Sequence, residues 1–219
     1  MPSRIMHLII ADALAKEVGA QAPGALLLGA LAPDAAKADE AASEALHFAS
    51  RSYIAYGDFL HRYGERMPDP FLLGYLSHLV GDDIWSIFVH ASGLRDRVRQ
   101  EPRLAKVYYR DFLLCNAKLL EAYPKEELYA ALLEAEIPSG WSGREGGLGP
   151  LLAEQKRRAL LDFDYPAAHL TEELQLITLG DVHLGMDRCI QRTLDLYRPW
   201  LQSDPDARED AFILHPHHL

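Results

Sequence analysis

Residues 75–85 read YLSHLVGDDIW, and this stretch decides the fold. It sits inside a longer run, about 70–91, in which Phe71, Leu72, Leu73, Leu76, Leu79, Val80, Ile84, Trp85, Ile87, Phe88 and Val89 leave almost no polar face. A helix that is apolar nearly all round belongs in the middle of a bundle. The polar exceptions, His78, Asp82 and Asp83, are therefore informative. His78 and Asp82 are four residues apart, one above the other on the same helix face. A carboxylate buried among Leu, Val, Ile and Trp is costly unless it is paired or coordinates a metal. The pair alone admits both readings, a structural His–Asp hydrogen bond or part of a metal site.

Outward from this stretch the signals remain helical. Ser3 can cap a helix over about residues 4–18 whose apolar side includes Ile5, Leu8, Ile9 and Leu14, with His7 on or beside it. A second helix over about 24–31 stops at Pro33, and Asp34 follows in the turn. Residues 35–46 are small and polar and read as a loop or a loosely helical excursion leading to His47–Phe48. A helix over about 50–64, breaks at Pro68 and Pro70, and further helices over about 103–122, 125–135, 149–162 and 171–200 complete the chain. With no internal repeat and no alternating pattern, the class is all-α. The organisation expected is one helical domain over residues 1–203 and a disordered tail over 204–219 that carries His215, His217 and His218. The segment SGWSGREGGLG at 139–149 reads as an exposed connection.

The bulk composition narrows the function. The 219 residues, 49% hydrophobic and 25% charged, are those of a globular protein able to bury a sizeable core. Asp and Glu number 32 against 22 Lys and Arg, a formal charge of −10 that argues against nucleic acid and anionic membrane surfaces as partners. Cys115 and Cys189 are too few and too far apart for a disulfide framework or a CxxC metal motif, so buried thiols are expected. The N-terminal apolar run is broken by His7 and Asp12, unlike a signal peptide, and no segment has the roughly 20 apolar residues of a membrane span. A cytoplasmic location without stable membrane insertion is the expectation.

His and Asp residues on apolar or small-residue backgrounds are His7, Asp34, His47, His78, Asp82 and, adjacent, Asp83. Imidazole plus carboxylate without thiolate suits zinc and also manganese, iron or nickel. The order His7, the GALAPD turn ending at Asp34, His47–Phe48 and then LGYLSHLVGDD resembles the zinc-dependent phospholipase C family, most closely its short bacterial members. The resemblance covers about residues 1–90. It implies a multi-helix bundle of phospholipase C type with two or three zinc ions at one end. By position, Asp34, His47, His78 and Asp82 match the ligands of one metal, His7 matches a ligand of its neighbour, and Asp82 would bridge them. Asp34 and Asp82 then carry the catalytic roles. Two features depart from the family pattern. Six residues precede His7, where the secreted members use their mature terminal amine. The family's further His and H-x-x-x-E pair are also missing; His90 comes two positions late, and His183 with Asp187, four apart in DVHLGMD, is the replacement considered for the extra metal.

The function expected is metal-dependent hydrolysis of a phosphate ester by activated water, on a small phosphorylated substrate or a phospholipid headgroup. The alternative is a metal-binding helical protein without turnover, whose mark would be a closed shell of four protein ligands. Tyr53, Tyr56 and His61 are further candidates for lining the cleft, while Tyr75 and Trp85 read as packing residues.

Overall fold

The structure is a computed structural model that describes residues 2–49, 54–142 and 148–201. Among these residues it is all-helical. In chain order the helices are α1 (Arg4–Glu17), α2 (Gly24–Leu31), α3 (Glu40–Leu46), α4 (Tyr56–Tyr63), α5 (Pro70–Ala91), α6 (Leu94–Gln100), α7 (Leu104–Ala122), α8 (Lys125–Glu134), α9 (Ser139–Ser142), α10 (Leu148–Leu161), α11 (Ala168–Thr171) and α12 (Leu179–Leu201). Short 3-10 turns cover Pro33–Ala36 and Gly64–Arg66. No helix of the described residues is long and apolar enough to cross a membrane. The expected C-terminal tail and residues 143–147 lie outside the described residues; the rest of the stretch expected as an exposed connection forms α9 and the start of α10, with Trp141 and Leu148 buried in the core.

The central helix begins where local chemistry dictates. Pro70 occupies its first turn, where a missing N–H costs nothing, and Asp69 caps it by accepting from the Phe71 N–H at 2.8 Å. It ends at Ser92–Gly93, with Gly93 at φ +69°, a left-handed conformation that favours glycine. In between, every side chain from Phe71 to Trp85 is buried. α2 and α12 make the most extensive contacts with α5, and α1 packs on all three.

The α2–α5 contact is unusually close because two glycines face each other's backbone. A Cβ at Gly29 would sit 1.9 Å from the Phe71 carbonyl oxygen, and one at Gly74 would sit 1.9 Å from that of Leu26. Gly81, farther along α5, leaves the space that His7 of α1 occupies; a Cβ there would lie 3.3 Å from the His7 ring.

Three expectations on helix boundaries change. The helix expected over about 50–64 begins only at Tyr56 among the described residues, and Ile54 before it makes an isolated bridge with Ala49. The segment expected as the start of the last helix, from about residue 171, is not helical between α11 and α12. There Asp111 of α7, itself buried, accepts from the backbone N–H groups of Gln175, Leu176 and Ile177 at 2.7–3.2 Å and holds the segment in a turn. The loosely helical stretch at 35–46 resolves into the 3-10 turn and α3, which Asp39 caps by accepting from Ala42 N–H. Cys115 and Cys189 are buried free thiols, as expected.

Candidate metal centre

Four segments converge on one buried polar cluster. α1 brings His7, the turn after α2 brings Asp34, the C-terminus of α3 brings His47, and α5 brings His78 and Asp82. Each is at most 7% exposed. His7, His78 and Asp82 form one group whose potential ligand atoms lie within 4.8 Å of one another, and Asp34, His47 and His78 form a second.

The backbone sets the proton on two of the imidazoles. Nδ1 of His78 lies 2.7 Å from the Ala30 carbonyl oxygen, and Nδ1 of His47 lies 2.7 Å from that of Ser43. A carbonyl can only accept, so both Nδ1 atoms carry the hydrogen and donate it. In the neutral rings both Nε2 atoms are then bare lone pairs, and they face each other at 3.3 Å. Asp34 Oδ1 is 3.5 Å from His47 Nε2, and Asp82 Oδ2 is 3.6 Å from His47 Nε2 and 3.7 Å from His78 Nε2. Four acceptor atoms thus lie around the facing His47 and His78 rings, Asp34 grouping with His47 and His78, and Asp82 with His78 and His7. Such a set repels itself unless something positive lies among the atoms.

These spacings suit a small divalent cation. Zinc bonds to nitrogen and oxygen of about 2.0–2.2 Å, arranged tetrahedrally, place neighbouring ligand atoms about 3.3–3.6 Å apart. The donor set, two imidazoles and two carboxylates, fits zinc, manganese, iron or nickel. The same carbonyl bonds that fix the tautomers also aim Nε2, the outer-shell arrangement that ligating histidines need.

His7 completes the cluster from the other side. Its ring stacks on His78 with centroids 3.8 Å apart and planes inclined by 11°. Its Nε2 lies 3.4 Å from Asp82 Oδ1. Neither ring nitrogen of His7, nor Asp82 Oδ1, makes a hydrogen bond among the described residues, although all three atoms are buried. Unsatisfied buried polar atoms are rare and call for a partner such as an ion or water. Asp82 therefore turns one oxygen to His7 and the other to His47 and His78.

The electrostatics favour ligand-competent charge states. Burial alone would raise the Asp34 carboxyl, but His47, His78, Lys37 and His7 outweigh it and hold the group well below the usual carboxylate range. Burial would likewise raise Asp82, yet His78 and His7 bring it down to about 2. His78 is pushed down to about 3, first by burial and then by His7, so it stays neutral. His47 goes the other way: burial lowers it, but Asp34, Asp82 and the Ser43 carbonyl together raise it. Without a cation, a proton on His47 Nε2 supplies the positive charge the cluster needs.

Several supporting residues were not legible as such. The Gln155 side-chain amide of α10, 4% exposed, donates to the Asp34 carbonyl oxygen at 2.9 Å. The Tyr75 hydroxyl donates to the Leu46 carbonyl oxygen at 2.5 Å, which fixes the residue before His47. In the sequence Tyr75 reads as packing only, and Gln155 is merely a polar residue on an amphipathic helix; the Ala30 and Ser43 carbonyls leave no trace there. Asp83 takes a hydrogen bond from Tyr56 of α4 and does not belong to either ligand group. Tyr56 is thus a buried partner of Asp83, His61 is exposed, and Tyr53 lies outside the described residues.

His183 and Asp187 are not brought to the cluster. On α12 the buried positions include Val182, Met186, Cys189, Thr193 and Leu196. His183 and Asp187 each follow a buried residue by one position, a rotation of about 100° toward solvent, and both are exposed. The pair belongs to the polar edge of an amphipathic helix. His90 is exposed as well, at the outer end of α5. The described residues supply no third group of potential ligands.

A cleft of about 450 Å³ opens beside the cluster, lined by Ser3, Arg4, Asp34, Lys37, Asn116 and Asp162 together with Tyr108, Tyr109, Phe112 and Leu113. Asp34 is the cluster residue that lines it. In comparisons with known proteins the chain matches no family model, no curated protein and no solved structure.

Proposed function

We propose that this chain is a metal-dependent hydrolase of phosphate esters, with Asp34, His47, His78 and Asp82 holding one divalent cation, zinc by preference, and His7 with Asp82 Oδ1 serving a second. The observation that carries the reading is the convergence of the Nε2 atoms of His47 and His78 with the Asp34 and Asp82 carboxylates at 3.3–3.7 Å, next to a buried His7 whose two ring nitrogens have no hydrogen-bond partner among the described residues. The sequence order of these five residues supports it, since it resembles that of the zinc-dependent phospholipase C family and its helical bundle.

When bound, such cations supply Lewis acidity, which makes water nucleophilic near neutral pH and draws charge from a phosphoryl oxygen. The chain's own part is positional. His78 and His47 present Nε2 because Ala30 and Ser43 hold Nδ1–H. His47 Nε2 must give up its proton as the site fills. Asp82 spans the two halves of the cluster, and Asp34 joins the cluster to the cleft where substrate and water enter. The apolar helix around the cluster keeps bulk water from the remaining ligands.

A second reading, a metal-binding protein without turnover, draws on one observation: Asp34, His47 and His78 group together and Asp82 lies 3.6 Å from His47 and 3.7 Å from His78, so a fourth protein ligand is near enough to close a structural site. Against it stands the His7–Asp82 half, which has fewer protein ligands and so keeps positions open. Metal analysis after purification, repeated on His78→Ala and Asp82→Ala with helicity checked by circular dichroism, tests the site. Bound metal should fall by at least half in each folded variant; wild-type stoichiometry in both would refute the assignment. A panel of chromogenic phosphomonoesters and phosphodiesters separates the two functions. Full metal loading without turnover on any of them would favour the non-catalytic reading.

A further inference from the structure

The cleft beside Asp34 has its own chemistry. Arg4 and Lys37 contribute two positive charges and Asp34 and Asp162 two negative ones, so its lining is balanced as it stands. Arg4 is committed to Asp162, donating from Nε at 2.7 Å and from Nη2 at 3.0 Å. Among the described residues Lys37 is held only by Asp34, its Nζ lying 3.3 and 3.2 Å from the two carboxylate oxygens. A divalent cation engaged by the same carboxylate repels that ammonium and shifts the balance of the cleft to a net +2. The lysine side chain is half exposed and can turn from Asp34 to an anion in the cleft. Asn116 adds neutral donors: its carbonyl oxygen takes the Ser3 hydroxyl, and its side-chain N–H groups donate to no protein acceptor among the described residues.

The opposite wall is aromatic. Tyr108 is fixed by the Trp85 indole N–H, which donates to its hydroxyl at 2.6 Å, and packs edge-on against Phe112 with centroids 4.8 Å apart. Tyr109, 69% exposed, and Leu113, 50% exposed, stand one helical turn apart on α7 at the lip. The volume falls in the range of about 300–1,000 Å³ typical of small-molecule sites.

We infer that the cleft binds the phosphoryl group of a soluble ester through Lys37 and Asn116, and stacks a flat apolar leaving group on Tyr108, Tyr109 and Phe112. This rests on the metal reading above and adds the substrate class to it. Lys37 is an anion-positioning residue and Tyr109 a selector for the leaving group. Both are exposed and lie outside the core, and Lys37 meets the ligand set through Asp34 alone, so zinc content is checked in its variants.

The test uses zinc-loaded full-length protein and two phosphonates, whose carbon–phosphorus bond is not hydrolysed, with binding read by titration calorimetry. Zinc stoichiometry is measured first. Phenylphosphonate should bind wild type about tenfold more tightly than methylphosphonate. Lys37→Ala should weaken both by about tenfold at unchanged zinc content, with Lys37→Arg restoring most of the loss. Tyr109→Ala should weaken phenylphosphonate about threefold or more and leave methylphosphonate unchanged. If zinc does not load, the metal reading falls and this inference with it. If zinc loads but Lys37→Ala binds methylphosphonate as wild type does, or the phenyl group adds nothing, only the inference falls. Sedimentation with vesicles of phosphatidylcholine and phosphatidylglycerol is the last arm: no binding is expected, and capture by vesicles without phenylphosphonate binding would overturn the soluble-ester class.

Discussion

Asp82 offers its oxygens in two directions, Oδ1 toward His7 and Oδ2 toward His47 and His78, and it does so in the ionised state. Its neighbour His78 is neutral, while His47 keeps a proton more tightly than a free imidazole. Metal must therefore displace a proton from His47, so apparent zinc affinity should rise with pH, by up to about tenfold per pH unit while one proton is released. Titrations in buffers of different ionisation enthalpy would count that proton. Without metal, the stability of the fold depends on pH through these same groups. His78 and Asp82 have folded values below their ordinary ones, so their contributions are present above about 6.5 and 3.8 and are lost on acidification, toward about 3 for His78 and about 2 for Asp82. The raised His47 opposes this, since its contribution is complete below 6.5 and is lost as pH rises through its folded value. Chemical denaturation of chelated protein should show stability falling between about pH 6 and 3, while Asp82→Asn should flatten the most acidic part of that fall.

At the scale of elements, the crossing of α2 and α5 decides where the His78 ring finds the Ala30 carbonyl. Gly29→Ala or Gly74→Ala would drive a methyl into a backbone carbonyl and should destabilise by about 3 kcal/mol or more, measurable by urea denaturation. Asp111→Asn should loosen residues 175–177, seen as faster hydrogen exchange at their amides, because the carboxylate now serves three N–H groups. Which elements existed was largely legible: α2 and α5 follow from apolar runs bounded by Pro, Gly and cap residues, and His78 and Asp82 from their spacing on such a run. α6 was not, because LRDRVRQ is charged and carries no apolar period. Nor was the turn before α12, which depends on Asp111, more than sixty residues away in sequence. The same holds for the site. Side chains that break an apolar pattern announce themselves, as His7 and Asp82 do, whereas His183 and Asp187 share a spacing without sharing a buried face. Positioning contacts made by backbone carbonyls are invisible until the helices are packed.

For the whole molecule, one continuous apolar core runs from Ile5 to Trp200, and the polar cluster is embedded in it. Five buried ionisable groups in a core are a liability when unoccupied and a tie between α1, the turn after α2, α3 and α5 when filled. Metal should therefore stabilise the fold by about 2.7 kcal/mol at free metal one hundred times Kd, a rise of about 5–10 °C in Tm for a chain of this size. A thermal melt with and without chelator measures it, and an unchanged Tm would count against the cluster as a metal centre. The glycine crossing has a mechanical consequence. At the Gly29–Gly74 crossing no side chain separates the α2 and α5 backbones, so there is no compliant layer at that point and relative sliding of the two helices there is resisted. Breathing that admits a substrate is then easier on the α1 and α7 side of the cleft, with His78 and its carbonyl partner as the steadier reference.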